Sequence, residues 1–295
     1  MMTPKPTLVQ AWKDAQQRLK AAGVDSPAID ARLLLEAAAG VTRVEVITDP
    51  HRELPEAEAA TLNDYVQRRS RREPVSRILG RKGFWKLILA VTPDVLTPRP
   101  DTEVIVDLAL KAFPEAMAFN LLDIGTGSGA ILLAILAERP AAKGLGTDIS
   151  EEALAVAKDN AANLDLDNRA AFLRTSWADG LGDGGFDLVV SNPPYIRSAE
   201  IETLDPEVRD HEPRLALDGG PDGLEAYRVL APEVLRLLKP GGLFAIETGW
   251  DQGPQVKALF EAAGGQQVEI VRDLSDRERV VTGLKNPLGN TAATR

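Results

Sequence analysis

The 295-residue chain has no cysteine and only two histidines, His51 and His211. The first absence excludes a disulfide framework and a thiolate metal site, and two lone histidines do not make a His-rich one, so no metal is expected. Long apolar runs are missing too. The longest, Ala130–Ala137, falls well short of the ~18 residues of a membrane span. The opening MMTPKPTLVQAWKDAQQRL mixes charge with helical periodicity and lacks the apolar block of a signal peptide. A cytoplasmic protein with no membrane partner is the expectation. An excess of positive charge is also absent: the net charge of −10 argues against broad binding to nucleic acid.

What is present is ordinary for a globular protein, with 44% hydrophobic and 26% charged residues. The length suits one large domain or two ordinary ones. The charge is unevenly spread. Residues 1–82 hold 14 Lys and Arg against 11 Asp and Glu, whereas the remainder holds 20 against 33. Asymmetry of this kind points to two domains with different tasks.

Periodicity supports that division. Leu8, Trp12, Ala15, Leu19 and Ala22 share one helical face. Ser26-Pro27 opens a second helix with Ile29, Leu33 and Leu34, and a third runs from Pro55 to about Arg71. Residues 1–75 thus read as a small helical domain for recognising a partner. From Gly83 the residues Phe84 to Val91 suggest strands. TPRPDTE then leads into a helix from about Asp101 to Phe113. After Asn120 strands and helices alternate: LLDIG, KGLGTDI, AAFLRT, FDLVVS, GGLFAIE, QQVEIVRD and RERVVTGL are the strands. That order predicts an α/β fold, a mostly parallel Rossmann-like sheet with one antiparallel hairpin at its end. Residues 286–295 read as a frayed tail.

Two strand ends carry chemistry. The first is Asp123-Ile-Gly125-Thr126-Gly127-Ser128-Gly129, between a strand and a helix. Glycines let the backbone turn tightly and approach a ligand, and the helix N-terminus offers unpaired N–H groups. Asp148 closes the next strand, where a carboxylate can accept from both ribose hydroxyls. Gly125, Gly127 and Ala130 also satisfy the GxGxxA dinucleotide fingerprint, so a nicotinamide site stays open on the loop alone. Against it stands Asp123, which is unwelcome beside a pyrophosphate but suits the cationic amino end of S-adenosylmethionine, directly or through water.

The second strand end is Ser191-Asn192-Pro193-Pro194-Tyr195, after FDLVV. An amide or aromatic amine is a poor nucleophile because its lone pair is delocalised, and breaking amide resonance fully costs ~18–20 kcal/mol. A site that methylates it must hold both N–H groups and turn the lone pair only partly. The Asn192 side-chain oxygen and the Pro193 carbonyl can accept those protons, the prolines fix the strand exit, and Tyr195 offers a face for stacking. A methylated amide sheds its proton to water, so no histidine base is required.

At this point the sequence resembles the bacterial release factor glutamine methyltransferases, from about Ala11 to Leu284. Four stretches carry the likeness: EPVSRILGRKGFWKL, VLTPRPDTE, LLDIGTGSGAI, and SNPPYI continuing through EVRDHEPRLALDGGPDGL. The resemblance implies a helical domain over 1–75, a β-hairpin linker over 76–100 and a seven-stranded methyltransferase domain over 101–285. It implies S-adenosylmethionine at Gly125–Gly129 and Asp148, with Trp177 beside the adenine and Asn192–Tyr195 around the acceptor. That acceptor would be the glutamine in the GGQ motif of class I peptide chain release factors, and no direct nucleic-acid partner is expected. Thr97 departs from the aliphatic residue expected there. Arg99 and Glu103 could brace the site edge or simply form a structural pair. Arg68, Arg69, Arg71, Arg72, Arg77, Arg81 and Lys82, opposed in sequence only by Glu73, read as a solvated helix face or a docking surface. Gly264-Gly265-Gln266 is read as a helix stop leading into a strand, its echo of the target tripeptide a coincidence. Two other functions compete: methylation of an exocyclic adenine amine in DNA or RNA, which presents a similar pair of N–H donors, and a non-catalytic scaffold, against which the intact motifs stand.

Overall fold

A computed structural model describes residues 5–287, so most of the expected tail lies outside the described residues. The chain divides into two compact units, residues 1–81 with 205–211, and residues 82–204 with 212–295.

The first unit is helical. Helix α1 (Leu8–Ala21) opens on a capping box in which the Thr7 side chain accepts from Gln10 N and the Gln10 side chain accepts from Thr7 N. Helix α2 (Pro27–Ala39) starts at a proline and stops at Gly40 in the left-handed region. Two short helices escape the periodicity argument because each is too brief to show it: α3 (Arg43–Thr48) and α5 (Val75–Leu79), on either side of α4 (Glu56–Ser70). Leu8, Leu19, Leu34, Leu35 and Val66 form the core. Ile29 is 55% exposed, because the buried stripe of α2 runs through Asp30, Ala31, Leu34 and Leu35.

The arginine run is not a free face. Arg69 is buried and pairs with Asp30 at 2.7 Å and Glu207 at 2.9 Å. Arg72 closes a two-bonded pair with Glu207 and donates to the Gly23 carbonyl. Arg68 is held by Glu73. Burial alone would raise the Glu207 carboxyl, but Arg72 and Arg69 outweigh it and hold the carboxyl below its usual range. The acids that oppose Arg69 and Arg72 lie 39 and more residues away in sequence, so a local reading misses them. Arg71 and Arg81 are exposed.

The second unit begins with a two-stranded hairpin, β1 (Arg81–Phe84) and β2 (Leu87–Ala90). Phe84 and Leu89 are buried in the same core as Ile105, Ile131 and Leu133, so the hairpin belongs to the packed body of this unit. The chain continues through α6 (Glu103–Ala112), β3 (Asn120–Ile124), α7 (Ala130–Glu138), β4 (Lys143–Asp148), α8 (Glu151–Asn163), β5 (Ala170–Arg174) and β6 (Phe186–Ser191). After α9 (Pro206–Arg209), which belongs to the first unit, it ends with α10 (Glu225–Leu237), β7 (Leu238–Glu247), α11 (Gly253–Ala262), β8 (Gly265–Arg272) and β9 (Glu278–Lys285). Ser150 caps α8 as expected, accepting from Ala153 N. Helix α11 stops before Gly264, with Gly265 opening β8, the reading made of that glycine pair.

Seven strands form one sheet in the order β5-β4-β3-β6-β7-β9-β8. All neighbours pair in parallel except those of β9, which runs antiparallel between β7 and β8. Alternate residues face opposite layers: Leu121, Leu188 and Val190 one core, Leu122, Ile124 and Val189 the other. The strand order reverses between β3 and β6, and open α/β sheets leave a crevice for ligands at the carboxyl edge of such a switch point. Ile124 pairs with Ser191 there, which sets Gly125 beside Asn192.

Candidate active site

Past β3 the chain turns through Gly125 and Gly127, both with positive φ (72° and 55°), a conformation that side chains disfavour. A Cβ at either position would meet no atom within 4 Å, so the loop backbone faces open space. Gly125 N and Thr126 N donate to the Thr147 carbonyl at 2.8 and 2.9 Å. Asp148, at the end of β4, accepts from Gly127 N through Oδ2 and from Ser150 N through Oδ1, both at 3.0 Å. Its carboxylate is thereby fixed, with lone pairs left for further donors. The Thr147 hydroxyl donates to the Trp177 carbonyl at 2.8 Å. Asn160 bonds both Ala90 and the Ser128 carbonyl, tying the hairpin to the loop.

Past β6, Asn192 Nδ2 donates to the Thr102 hydroxyl at 3.2 Å. The Ser191 hydroxyl donates to the Ile124 carbonyl at 2.6 Å, locking the two strand ends together. The turn is also stapled from outside. Buried Gln252 donates through Nε2 to the carbonyls of Tyr195 and Gly223, at 3.0 and 3.2 Å, and accepts from Gly249 N. A Cβ on Gly219 would stand 2.7 Å from Tyr195 Cα and 2.9 Å from the Pro194 carbonyl oxygen, so this glycine permits direct backbone contact with the turn.

The two strand ends open into one cavity of about 590 Å³. It is lined by Gly125, Thr126, Gly127, Ser128, Asp148 and Trp177 on one side and by Asn192, Pro193, Pro194 and Thr102 on the other, with Leu215 and Val229 among its apolar residues.

Comparison with known proteins places this geometry. Residues 10–80 match the family model described as the PrmC N-terminal domain, and residues 117–284 match the model described as a methyltransferase domain. A release factor glutamine methyltransferase of Caulobacter vibrioides is 68% identical over 286 residues, covering 97% of this chain and 99% of its own. The one from Rhodospirillum rubrum is 48% identical, covering 92% and 83%. This chain belongs to the release factor glutamine methyltransferase family. A solved methyltransferase from Pyrococcus furiosus matches with a TM-score of 0.50 at 20% identity, over 67% of this chain and 88% of that one; it shows the fold alone.

Within this family member the expected site residues separate into two groups. Gly125, Thr126, Gly127, Ser128, Asp148, Trp177, Asn192, Pro193 and Pro194 line the cavity. Asp123, Gly129 and Tyr195 are not among its lining. Asp123 is fully buried behind the loop, where Oδ2 accepts from the Thr126 hydroxyl at 2.7 Å. Burial pushes its carboxyl up to about 7 against that hydrogen bond. In the structure its carboxylate braces the loop through Thr126. Gly129 takes a φ of 82° and a Cβ there would press on Leu133 at 3.0 Å; its task is packing at the start of α7. The Tyr195 ring packs on the core around Tyr227, its hydroxyl 3.5 Å from Glu247 Oε1, and burial raises its pKa.

Other expectations resolve simply. Arg99 pairs with Glu212 at 3.2 Å, and Glu212 also accepts from Thr97 N. The Thr97 hydroxyl is buried without a hydrogen bond among the described residues, which is why an aliphatic side chain would serve equally there. Glu103 accepts from Trp85 N at 2.8 Å, a structural role. His211 is not among the residues lining the cavity. Sequence reasoning missed Thr102, Glu247, Gln252 and Gly219, although Thr102 and Gly219 fall inside TPRPDTE and DGGPDGL, the stretches that carried the resemblance.

Proposed function

We propose that this protein transfers the methyl group of S-adenosylmethionine to the side-chain amide nitrogen of the glutamine in the GGQ motif of class I peptide chain release factors. The observation that carries this reading is the single cavity into which the glycine loop with Asp148 and the Asn192–Pro194 turn both open. Its volume of about 590 Å³ lies in the ordinary range for small-molecule sites.

The residues fit the cofactor. Open space above Gly125 and Gly127 admits close backbone approach, the fixed Asp148 carboxylate can accept from ribose hydroxyls, and Trp177 supplies an aromatic wall. When bound there, S-adenosylmethionine supplies an electrophilic methyl group on a sulfonium. Asn192 and Pro193 do the rest by positioning. With Nδ2 committed to Thr102, the Asn192 oxygen is the acceptor its side chain offers, and the Pro193 carbonyl is the second. Together they hold both N–H groups of a planar amide and orient its lone pair, so rate comes from alignment and preorganised dipoles. The proton lost after methylation goes to water. Tyr195 anchors the turn through its ring and its carbonyl.

Release factors are thus the proposed partner, and the cytoplasm, where translation ends, the proposed location. Among the described residues no helix is long and apolar enough to cross a membrane. Offering labelled cofactor with either a release factor or adenine-bearing DNA and RNA tests the reading. Label entering the release factor supports it; label entering only nucleic acid overturns it.

A further inference from the structure

The turn that carries Asn192 and Pro193 is held at its start by the pairing of Ile124 with Ser191 and by the Ser191 hydroxyl on the Ile124 carbonyl. Proline fixes φ at Pro193 and Pro194, so the direction of the Pro193 carbonyl is left to the ψ angles. Those angles depend on where the chain is held beyond the prolines. The peptide between Tyr195 and Ile196 is that point, and it is gripped on both edges. Ile196 N donates to the Leu217 carbonyl at 2.9 Å, and the Tyr195 carbonyl accepts from Gln252 Nε2 at 3.0 Å. Gln252 is 4% exposed and is not among the residues lining the cavity, so it acts on the turn from behind. Its Nε2 also donates to the Gly223 carbonyl at 3.2 Å, and its oxygen accepts from Gly249 N at 3.0 Å. A primary amide has two N–H donors and an acceptor oxygen, and here both kinds of group meet backbone. Because Gly249 N can only donate, the oxygen must face it, which turns the nitrogen to the two carbonyls. The surrounding glycines leave room for this amide. A Cβ on Gly223 would stand 2.5 Å from the Tyr195 carbonyl oxygen and 2.6 Å from Gln252 Nε2, and one on Gly249 would stand 2.8 Å from Gln252 Oε1. Gln252 is itself anchored: its carbonyl accepts from Val256 N at 3.0 Å as α11 begins, and Val256 and Phe260 of that helix lie in the core.

We propose that Gln252 is a positioning residue for methyl transfer: its amide clasps the Tyr195 carbonyl to the segments at Gly223 and Gly249, and so keeps the Pro193 carbonyl aimed at the substrate amide. This rests on Asn192 and Pro193 serving as the acceptors of that amide's two N–H groups. Methionine at position 252 would fill similar space and donate nothing. Glutamate would keep an acceptor for Gly249 N, but once ionised it would set lone pairs against two carbonyl oxygens. Only its protonated form could donate to the Tyr195 carbonyl.

The test is steady-state methyl transfer by the full chain to a class I release factor at saturating substrate and cofactor, with cofactor affinity and melting temperature measured alongside. Gln252→Met should lower kcat about tenfold or more, since misplacement of about 1 Å can cost about 10²-fold. Its cofactor affinity should be unchanged, because the loop after β3 is untouched. Val256→Ala, which opens the core under α11 and spares the clasp, should lower the melting temperature and leave kcat near that of the parent. Gln252→Glu supplies the readout that a merely structural side chain would not move. Burial raises a carboxyl pKa, so its kcat relative to the parent should rise as pH falls and the carboxyl regains its proton. A Gln252→Met protein as fast as the parent, or a Val256→Ala protein slowed as much, overturns the proposal. So does a Gln252→Glu ratio that does not change with pH, a comparison within one variant that stands even if Gln252→Met folds poorly. A parent protein that leaves the release factor unmethylated, or an Asn192→Ala protein as fast as the parent, would instead refute the underlying reading of the acceptor site.

Discussion

At the scale of single residues the site divides into groups that touch ligands and groups that hold them. In the proposed reading Asn192 belongs to the first. Removing one preorganised polar partner typically costs about 10²–10³ in turnover, so Asn192→Ala should be nearly inactive while calorimetry finds cofactor affinity intact. The same reading puts Asp148 there, and in the structure it braces the loop through Gly127 N. Asp148→Ala should weaken S-adenosylmethionine binding by roughly 1.5–3 kcal/mol, as for charge-assisted hydrogen bonds; unchanged affinity would remove it from the site. Asp123 belongs to the second group and has a thermodynamic signature. Its carboxyl rises from 3.8 to about 7 on folding, so across that window the folded chain keeps a proton that the unfolded chain has released. Stability contributed by this group therefore falls as pH rises through the window. Asparagine keeps an acceptor for the Thr126 hydroxyl without the buried charge. Asp123→Asn should melt higher than the parent at pH 8, with the gap narrowing at pH 5; parallel melting curves would contradict the assignment.

At the scale of elements, what could be read in the sequence depended on how far apart the cooperating residues lie. The glycine loop, Asp148 and the Asn192 turn were legible because each is a local pattern at a strand end, and the alternation of apolar runs ordered the strands. The reversal of β9 between β7 and β8 was legible only as a hairpin, since pairing partners leave no local mark. Thr102 and Asn192 were invisible as a pair: 90 positions apart in the chain, they are joined by the hydrogen bond from Asn192 Nδ2 to the Thr102 hydroxyl. The packing of the Tyr195 ring was equally invisible, since the core it packs against is assembled from α10 and β7. The glycines of DGGPDGL carried the resemblance without an evident task, and the fold supplies one. Gly219 lies where a Cβ would press on the Pro194–Tyr195 backbone, and backbone cannot swing aside as a long side chain can. Gly219→Ala should shift the turn and lower kcat by tenfold or more, since misplacement of about 1 Å can cost 10²-fold. Cofactor affinity should hold, because the loop after β3 is untouched. Equal losses in both would mean general unfolding rather than a displaced turn.

At the scale of the whole molecule, the uneven charge has a more specific meaning than an open basic face. Much of the positive charge near the end of α4 is spent inside the first unit, where Arg69 joins Asp30 to Glu207 and Arg72 doubles the hold on Glu207. Removing one partner of a buried pair leaves the other charge stranded, at about 3–5 kcal/mol. Arg69→Ala should therefore lower the unfolding midpoint in urea sharply, while exposed Arg71→Ala should leave it nearly unchanged. Similar small shifts for both would return the cluster to the status of a solvated face. Neutralising the whole run thus mixes stability with any docking effect, and Arg71 and Arg81 are the positions at which docking alone can be probed. The account as a whole turns on which atom receives the methyl group. The direct measurement is tandem mass spectrometry of a class I release factor after incubation with the protein and isotopically labelled S-adenosylmethionine. The account predicts one labelled methyl on the side-chain amide nitrogen of the GGQ glutamine, lost with Asn192→Ala. Label on any other residue, or none on the factor while the cofactor is consumed, would contradict it.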